Sequence, residues 1–422
     1  MPVELYPFQQ KALDDTADRN RVAYYLDMGL GKTFVGAEKA KQLDAKYTLV
    51  VCQKAKIQDW IEHFEKVLNF KAYDLTDKEH FREWFLTWGF GVINYDLIFR
   101  RADFLNLKDF TLILDESSLI QNEKAKRTKF ILKLKPQNVI LLSGTPTAGK
   151  YENLWSQLNL SGWSITQKVY NQQYVNWTTI DVEGFPLKIV DKETPYKNVE
   201  RLKAKMRKHG AVFMKSDEVF DLPDQNIIEI KIGVTREYKR FQKNHYIKIG
   251  DEELIGDTTL SKRIYSRMLC GHYNAEKLNH FRALCESTND RLVVFYNFNA
   301  ELHELKRIAA ELEKPISEVN GNLKDLTAHE QDENSITFVQ FKAGAMGLNL
   351  QLANKVIYFT LTDEAELFEQ SKKRIHRIGQ KRPCFYYFLI CKNSIEETEI
   401  LPMLGLRKQY SDELFIERGV NE

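Results

Sequence analysis

The chain has 422 residues, 43% hydrophobic and 28% charged, a composition that excludes a disordered or fibrous protein and leaves room for two or three domains. Its 61 Lys and Arg against 59 Asp and Glu give a net charge of only +2, so an anionic partner has to be held by local clusters rather than by a general basic field. The five cysteines, Cys52, Cys270, Cys285, Cys384 and Cys391, never form a Cys-x-x-Cys pair, and no two of the nine histidines stand four apart, which argues against a disulfide framework and against a His or Cys metal site. No export signal and no apolar run of the roughly 18 residues needed to span a bilayer is visible, so a reducing cytoplasm is expected.

In chain order, the first apolar run is VAYYL (22–26), followed by DMGLGKT (27–33) and a helical stretch, FVGAEKAKQL. Strand, glycine loop and helix in that order form a phosphate cradle: small residues let successive N–H groups point at phosphate oxygens, and the helix amino terminus adds a favourable dipole. Lys32 then meets the β and γ phosphates and Thr33 the magnesium. The usual leading glycine, five residues before Gly31, is Leu26, so the loop is a partial match. TLVVC (48–52), GVIN (91–94), TLILD (111–115) and NVILLSG (138–144) continue a buried parallel sheet. Asp115 and Glu116 end the fourth of these five runs, where one acid suits a metal and the other an attacking water; LLSGTP (141–146) follows as a hydroxyl-rich strand end able to sense the γ phosphate.

From Thr147 to Asp290 the pattern reads as helical insertion, apart from IIEIKI (227–232), and the aromatic stretch VYNQQYVNW (169–177) reads as packing. DLPDQ (221–225) marks the crossing between domains, giving 1–225 and 226–422. RLVVFYN (291–297), ITFVQF (336–341), KVIYF (355–359) and CFYYFLIC (384–391) predict a second sheet. KAGAMGLNL (342–350) has glycines for close backbone approach. QSKKRIHRIGQ (370–380) places Gln370, Arg374 and Arg377 on one face if it is helical, where guanidinium groups from a second lobe stabilise transition-state charge across an interlobe cleft. Lys54 and Lys56, RLKAKMRKHG (201–210) and REYKRFQKNHYIK (236–248) offer basic groups interleaved with aromatics for a polyanion.

Taken together and in this order, the segments resemble the superfamily-two helicase-like ATPases of the Swi/Snf type, the double-stranded DNA translocases; DMGLGKT and RIHRIGQ are the most specific signatures. LYPFQQKAL (5–13) resembles the adenine-reading motif, VVCQKAKIQDWIEHF (50–64) and INYD (93–96) the DNA-contact motifs of the first lobe, ILDESSLIQN (113–122) the metal and water motif, and LSGTP the coupling motif. ENLWSQLNL (152–160), LVVFYNFNAELHEL (292–305) and SIEETEI (394–400) fill the remaining places.

The resemblance implies an α/β protein of two RecA-like parallel-sheet lobes with helical insertions, working as a monomer on ATP and Mg2+. Gln9, Met28, Gly29, Leu30, Gly31, Lys32 and Thr33 are then expected at the nucleotide, joined by Gly347, Asn349 and Gln370. Thr33 and Asp115 hold the metal, and Lys32, Asp115, Glu116, Arg374 and Arg377 carry the chemistry. Lys54, Lys56, Asn94, Tyr95 and Lys342 meet nucleic acid.

The implied activity is ATP-dependent translocation on duplex DNA, with a helicase, fork-remodelling or annealing enzyme, and a nucleotide-controlled DNA-binding switch, as alternatives. A protein partner would supply targeting. Departures mark a divergent member, bacterial or phage-encoded. Ser118 stands for the usual His after the acidic pair, Tyr6 for Arg and Gln53 for Pro. Gln340 and Phe341 stand for a hydroxyl pair, 363–365 for Trp-Asn-Pro, and Lys215 alone for a basic cluster.

Overall fold

The computed structural model describes residues 4–182, 184–344 and 347–416, which form two compact units. The chain passes from the first unit to the second between Val219 and Phe220 and returns to the first between Lys408 and Gln409.

In the first unit the five apolar runs become β1 (Arg21–Leu26), β2 (Tyr47–Cys52), β4 (Gly89–Asn94), β5 (Phe110–Asp115) and β6 (Asn138–Leu142), and a short strand outside those runs, β3 (Ala72–Asp74), pairs with β4. A hairpin of β7 (Trp177–Val182) and β8 (Phe185–Val190) follows, then β9 (Ala211–Met214). Seven strands make one sheet in the order β3-β4-β2-β5-β6-β1-β9, every neighbouring pair parallel. Every residue of β2 and β6 is buried, as expected of parallel strands covered on both faces, and this is why their sequences are continuously apolar instead of alternating. The helix Lys32–Leu43 comes so close to β6 that a Cβ on Gly36 would stand 2.8 Å from Leu142 Cδ1, so a glycine is needed where this helix crosses the sheet. The segment from Gln409 completes this unit: Leu414 is fully buried, Phe415 packs on Phe213, and the Tyr151 hydroxyl donates to Tyr410 O at 2.8 Å.

The second unit holds β10 (Gln225–Ile232), a hairpin of β11 (Tyr246–Ile249) and β12 (Glu252–Ile255), β13 (Leu292–Tyr296), β14 (Ile316–Val319), β15 (Lys324–Asp325), β16 (Ile336–Gln340), β17 (Lys355–Tyr358) and β18 (Cys384–Cys391). Its sheet runs β10-β18-β17-β13-β16-β14-β15, parallel except for the last pair. Two such sheets, each wrapped by helices, are the α/β architecture of two RecA-like lobes.

The stretch from 147 to 290 is less uniformly helical than its sequence suggests, since it contains both hairpins and β9. The four-residue strands are too short to show a period, and β7–β8 is set by its turn, where Gly184 at φ 82 donates its N–H to Asp181 Oδ1 at 2.8 Å. Among the described residues no helix is long and apolar enough to cross a membrane.

Candidate functional site

In the first sheet β6 lies between β1 and β5, so the loops leaving these three strands share one carboxyl edge. They are the glycine loop after β1, the Ser-Gly-Thr-Pro turn after β6 and the acidic pair ending β5. The loop needs its glycines: Gly29 and Gly31 have φ of 88 and 72, and a Cβ on Gly31 would lie 2.3 Å from Gln9 Nε2. Gln9 is buried and braces the loop, accepting from Tyr6 N–H at 3.0 Å and donating to Leu30 O at 3.0 Å. Asp27 fixes the other end, its carboxylate accepting from Met28 N–H at 2.8 Å and from the Ser216 hydroxyl at 2.7 Å. Met28 is half-buried and Leu30 buried, while Gly29 is exposed at the rim. Lys32 and Thr33 open the following helix, and Lys32 Nζ donates to Leu26 O at 3.2 Å. Gly144 of the neighbouring turn packs close to the same lysine: a Cβ there would stand 3.2 Å from Lys32 Nζ and 3.4 Å from Leu26 O.

The acidic pair is held from several directions. Trp60 Nε1 donates to Asp115 Oδ2 at 2.9 Å, and the Tyr95 hydroxyl donates to Asp115 O at 3.0 Å. Glu116 adopts a left-handed backbone, φ 53, which costs a non-glycine residue roughly 1–2 kcal/mol and persists only where neighbours enforce it. Its Oε2 accepts from the Ser143 hydroxyl at 3.3 Å, and Ser143 Oγ accepts in turn from Thr145 N–H at 3.1 Å. Below them Gln157, fully buried, accepts from the Ser117 and Tyr25 hydroxyls at 2.8 and 3.1 Å and donates to Pro146 O at 2.7 Å. Neither Trp60 nor Gln157 stands out in sequence as a site residue, because Trp60 meets Asp115 across 55 residues and Gln157 meets Ser117 across 40, by contacts only the fold creates. Burial and the nearby Asp115 charge both push the Cys52 thiol up, which keeps it protonated beside the edge.

Among residues expected at nucleic acid, Lys54 is exposed, Lys56 is half-buried with Nζ 2.6 Å from Asp59, and Lys342 is exposed on a one-turn helix of the second unit. Asn94 and Tyr95 are buried, at 5% and 3% exposure.

In the second unit Gly347, at φ 70, and Asn349 line an open cavity of about 470 Å³ with His329 and Gln351; Ala345 and Met346 of the same motif lie outside the described residues. Gln370 is buried, with Nε2 3.3 Å from Glu366 and an Oε1 that has no hydrogen-bond partner among the described residues. The helical face expected for Gln370, Arg374 and Arg377 is corrected: the helix Ala365–Lys372 contains Gln370 and stops before both arginines. Beyond it the chain is held by partners distant in sequence. Leu350 N–H donates to Arg374 O at 3.1 Å. Gln380 Nε2 donates to Gln351 O at 3.0 Å and Ala353 O at 2.8 Å, and Gly379 turns the chain at φ 95. Arg374 is buried and Arg377 half-buried, where burial pulls its pKa down, and His376 Nε2 lies 2.8 Å from Pro223 O.

In the second unit Cys270, Cys391 and Glu396 bring their ligand-type atoms within 4.8 Å of one another. The cation beside them is Lys277, whose Nζ reaches both Glu396 oxygens at 2.9 and 2.8 Å.

A SNF2-related domain matches residues 26–284, more than half of the chain, and a helicase conserved C-terminal domain matches residues 276–379. The chain is 24% identical over 432 residues to the SWI/SNF-related matrix-associated actin-dependent regulator of chromatin subfamily A member 1 of Mus musculus, covering 88% of this chain and 39% of that protein. It is 23% identical over 416 residues to the Drosophila melanogaster subfamily A-like protein 1, covering 93% and 54%. The chain thus spans between about two fifths and just over half of the length of these curated relatives. The Sulfolobus solfataricus SWI2/SNF2 ATPase core, solved in complex with dsDNA, aligns over 98% of this chain and 93% of that one at 19% identity, with a TM-score of 0.47. With both domain matches in sequence order over two parallel-sheet lobes, the chain belongs to the SNF2-related family, the Swi/Snf-type ATPases of superfamily two.

Proposed function

We propose that this chain is an ATP-driven motor on double-stranded DNA, turning hydrolysis into movement along the duplex and remodelling of DNA or of protein–DNA complexes. One observation carries the reading: Lys32, Gly144, Ser143, Glu116 and Asp115 converge on a single sheet edge. The nucleotide fits this edge because the loop turns on Gly31, whose left-handed backbone and 2.3 Å approach to Gln9 Nε2 leave no room for a side chain, and because the Lys32 ammonium lies against Gly144 of the neighbouring turn. When bound, Mg2+ and ATP supply the transferable phosphoryl group and the charge that offsets it.

Lys32 offers its ammonium to phosphate oxygens, with Met28, Gly29, Leu30 and Gly31 presenting the backbone around it. Thr33 and Asp115 would hold the metal, and the Trp60 indole on Oδ2 fixes which way the Asp115 carboxylate points. Glu116 takes the proton of the attacking water, oriented by Ser143. Gln9, already bracing the loop, meets the adenine. On the second unit, Arg374 and Arg377 would offer guanidinium groups to a γ-phosphate, and Gln370, whose buried Oε1 lacks a partner among the described residues, would add nucleotide contacts with Gly347 and Asn349. Lys54, Lys56 and Lys342 grip DNA phosphates, which predicts little sequence preference and steep salt dependence. Tyr95 and Asn94 act from inside instead, Tyr95 by holding the Asp115 carbonyl. Support for a DNA substrate comes from the relatives, both named as regulators of chromatin.

The test is steady-state ATP hydrolysis without polymer and with duplex DNA, single strands or RNA, beside Lys32→Ala and Glu116→Gln. Duplex DNA is expected to raise turnover at least about tenfold and each substitution to lower it at least about a hundredfold. Absence of stimulation by every polymer sinks the motor. Triplex displacement without strand displacement identifies translocation, and nucleotide-dependent DNA retention without turnover identifies a switch.

A further inference from the structure

We infer that Gln157 is the positioning residue that joins the acidic pair to the Ser-Gly-Thr-Pro turn, so that what happens at the phosphate end of that turn reaches Glu116; the inference rests on ATP hydrolysis at this edge. The amide of Gln157 can point only one way. Pro146 O is an acceptor, so it must face Nε2, at 2.7 Å, which leaves Oε1 to accept from the Ser117 and Tyr25 hydroxyls at 2.8 and 3.1 Å. Gln157 and Ser117 are both fully buried, and Tyr25 is 1% exposed, so water cannot stand in for any of these bonds. The short helix Trp155–Leu160 thereby delivers one side chain to three segments that do not otherwise share a bond through it: β1, the residue after the acidic pair, and the turn after β6.

These bonds close a ring. Glu116 Oε2 accepts from Ser143, whose chain runs through Gly144 and Thr145 to Pro146; the Pro146 carbonyl is held by Gln157, and Gln157 holds Ser117, the next residue after Glu116. Gly144, inside that ring, packs within 3.2 Å (as measured from its absent Cβ) of Lys32 Nζ. Displacement of the turn therefore acts on Glu116 twice, at its carboxylate through Ser143 and at its backbone through Ser117, and that backbone sits in a left-handed conformation that only its neighbours maintain. The family's histidine after the acidic pair is Ser118 in this chain, and Gln157 supplies a connection from the adjacent residue, Ser117, to the coupling turn.

The experiment compares Gln157→Met, which keeps length and volume but removes the amide, Ser117→Ala, and the pair together, all measured with duplex DNA at saturating Mg2+. Gln157→Met is expected to lower kcat by about 10- to 100-fold, with KM for ATP changed by less than about threefold, because it displaces the base and leaves the phosphate loop alone. Ser117→Ala is expected to lower kcat less, and the double variant to be no slower than Gln157→Met, since both cut one connection. A Met variant with kcat within about twofold of the parent, or losses that multiply in the double variant, overturns the proposal. If the Met variant does not fold, Ser117→Ala decides alone: kcat reduced at unchanged KM supports the link, and unchanged kcat refutes it.

Amide hydrogen exchange separates this inference from the activity beneath it. With no turnover required, Gln157→Met, or Ser117→Ala in its place, is expected to raise exchange in both 113–120 and 141–149 while 47–52 and 89–94 stay protected. Loosening confined to 155–160 refutes the link even if the parent protein hydrolyses ATP, whereas a parent protein without polymer-stimulated turnover refutes the motor and leaves the exchange result to decide the ring.

Discussion

At Gly31 the backbone has φ 72 and the place a Cβ would occupy is 2.3 Å from Gln9 Nε2. Gly31→Ala therefore meets two penalties, about 1–2 kcal/mol for the left-handed backbone and the displacement of Gln9 from Leu30 O. The expected outcome is at least about tenfold weaker nucleotide binding with the sheet intact, read by titration of a fluorescent ATP analogue beside a circular-dichroism melt. At this scale the sequence was informative where function needs a residue type at a fixed spacing. The loop 27–33, the acidic pair and the 141–146 turn are visible because each is a short run with local chemistry, and β1, β5 and β6 bring them together as the strand pattern predicts. Trp60 and Gln157 were not legible in the same way. Trp60 is 55 residues from Asp115 and Gln157 is 40 from Ser117, and nothing in the spacing of an indole or an amide on a helix says which carboxylate or hydroxyl it will meet. The left-handed turn at Glu116 was equally hidden, since glutamate has no preference for it.

Among the elements, the longer strands of both sheets were readable because parallel strands buried on two faces are continuously apolar, whereas the short strands β3, β9, β14 and β15 and the end of the helix Ala365–Lys372 were not. Gln370, Arg374 and Arg377 have helical spacing, but past Lys372 the chain is held by partners distant in sequence, the Tyr386 hydroxyl on Lys372 O and Leu350 N–H on Arg374 O, which local propensity does not announce. The helix Thr327–Gln331 shows how an element can carry a pH response. Its His329 is packed against β14 and β16, with its backbone N–H on Ser317 Oγ and Nδ1 2.9 Å from Thr337 Oγ1. Burial, with a smaller push from Arg291, lowers its pKa to about 4. The unfolded imidazole takes its proton near pH 6.5 while the folded one refuses it, so stability present above pH 6.5 is lost as pH falls toward 4, by up to about 3 kcal/mol. Urea unfolding at pH 7.0 and 4.5 is expected to show this loss in the parent protein and a much shallower one in His329→Gln, which cannot titrate.

For the molecule as a whole, the first unit is not a contiguous piece of sequence. Leu414 and Phe415 belong to its core, Tyr410 stacks edge-on against Tyr196, and Lys215 Nζ pairs with Asp412 at 3.2 Å. The return falls inside one helix, Leu401–Phe415, so no loop marks it in the sequence. Burial of two large apolar side chains is worth about 3–6 kcal/mol, so a chain ending at Arg407 is expected to melt its first unit roughly 10 °C lower in scanning calorimetry and to bind a hydrophobic dye through the uncovered Phe213 and Tyr151. The same return has a consequence for biosynthesis. The first unit's seven-stranded sheet is complete when residue 214 has been made, yet its core cannot close until residue 415 leaves the ribosome, a delay of roughly 10–40 s at ordinary elongation rates. For that interval the nascent sheet shows an apolar face meant for its own chain, and the cell must keep that face from finding another occupant before the last turn of helix arrives.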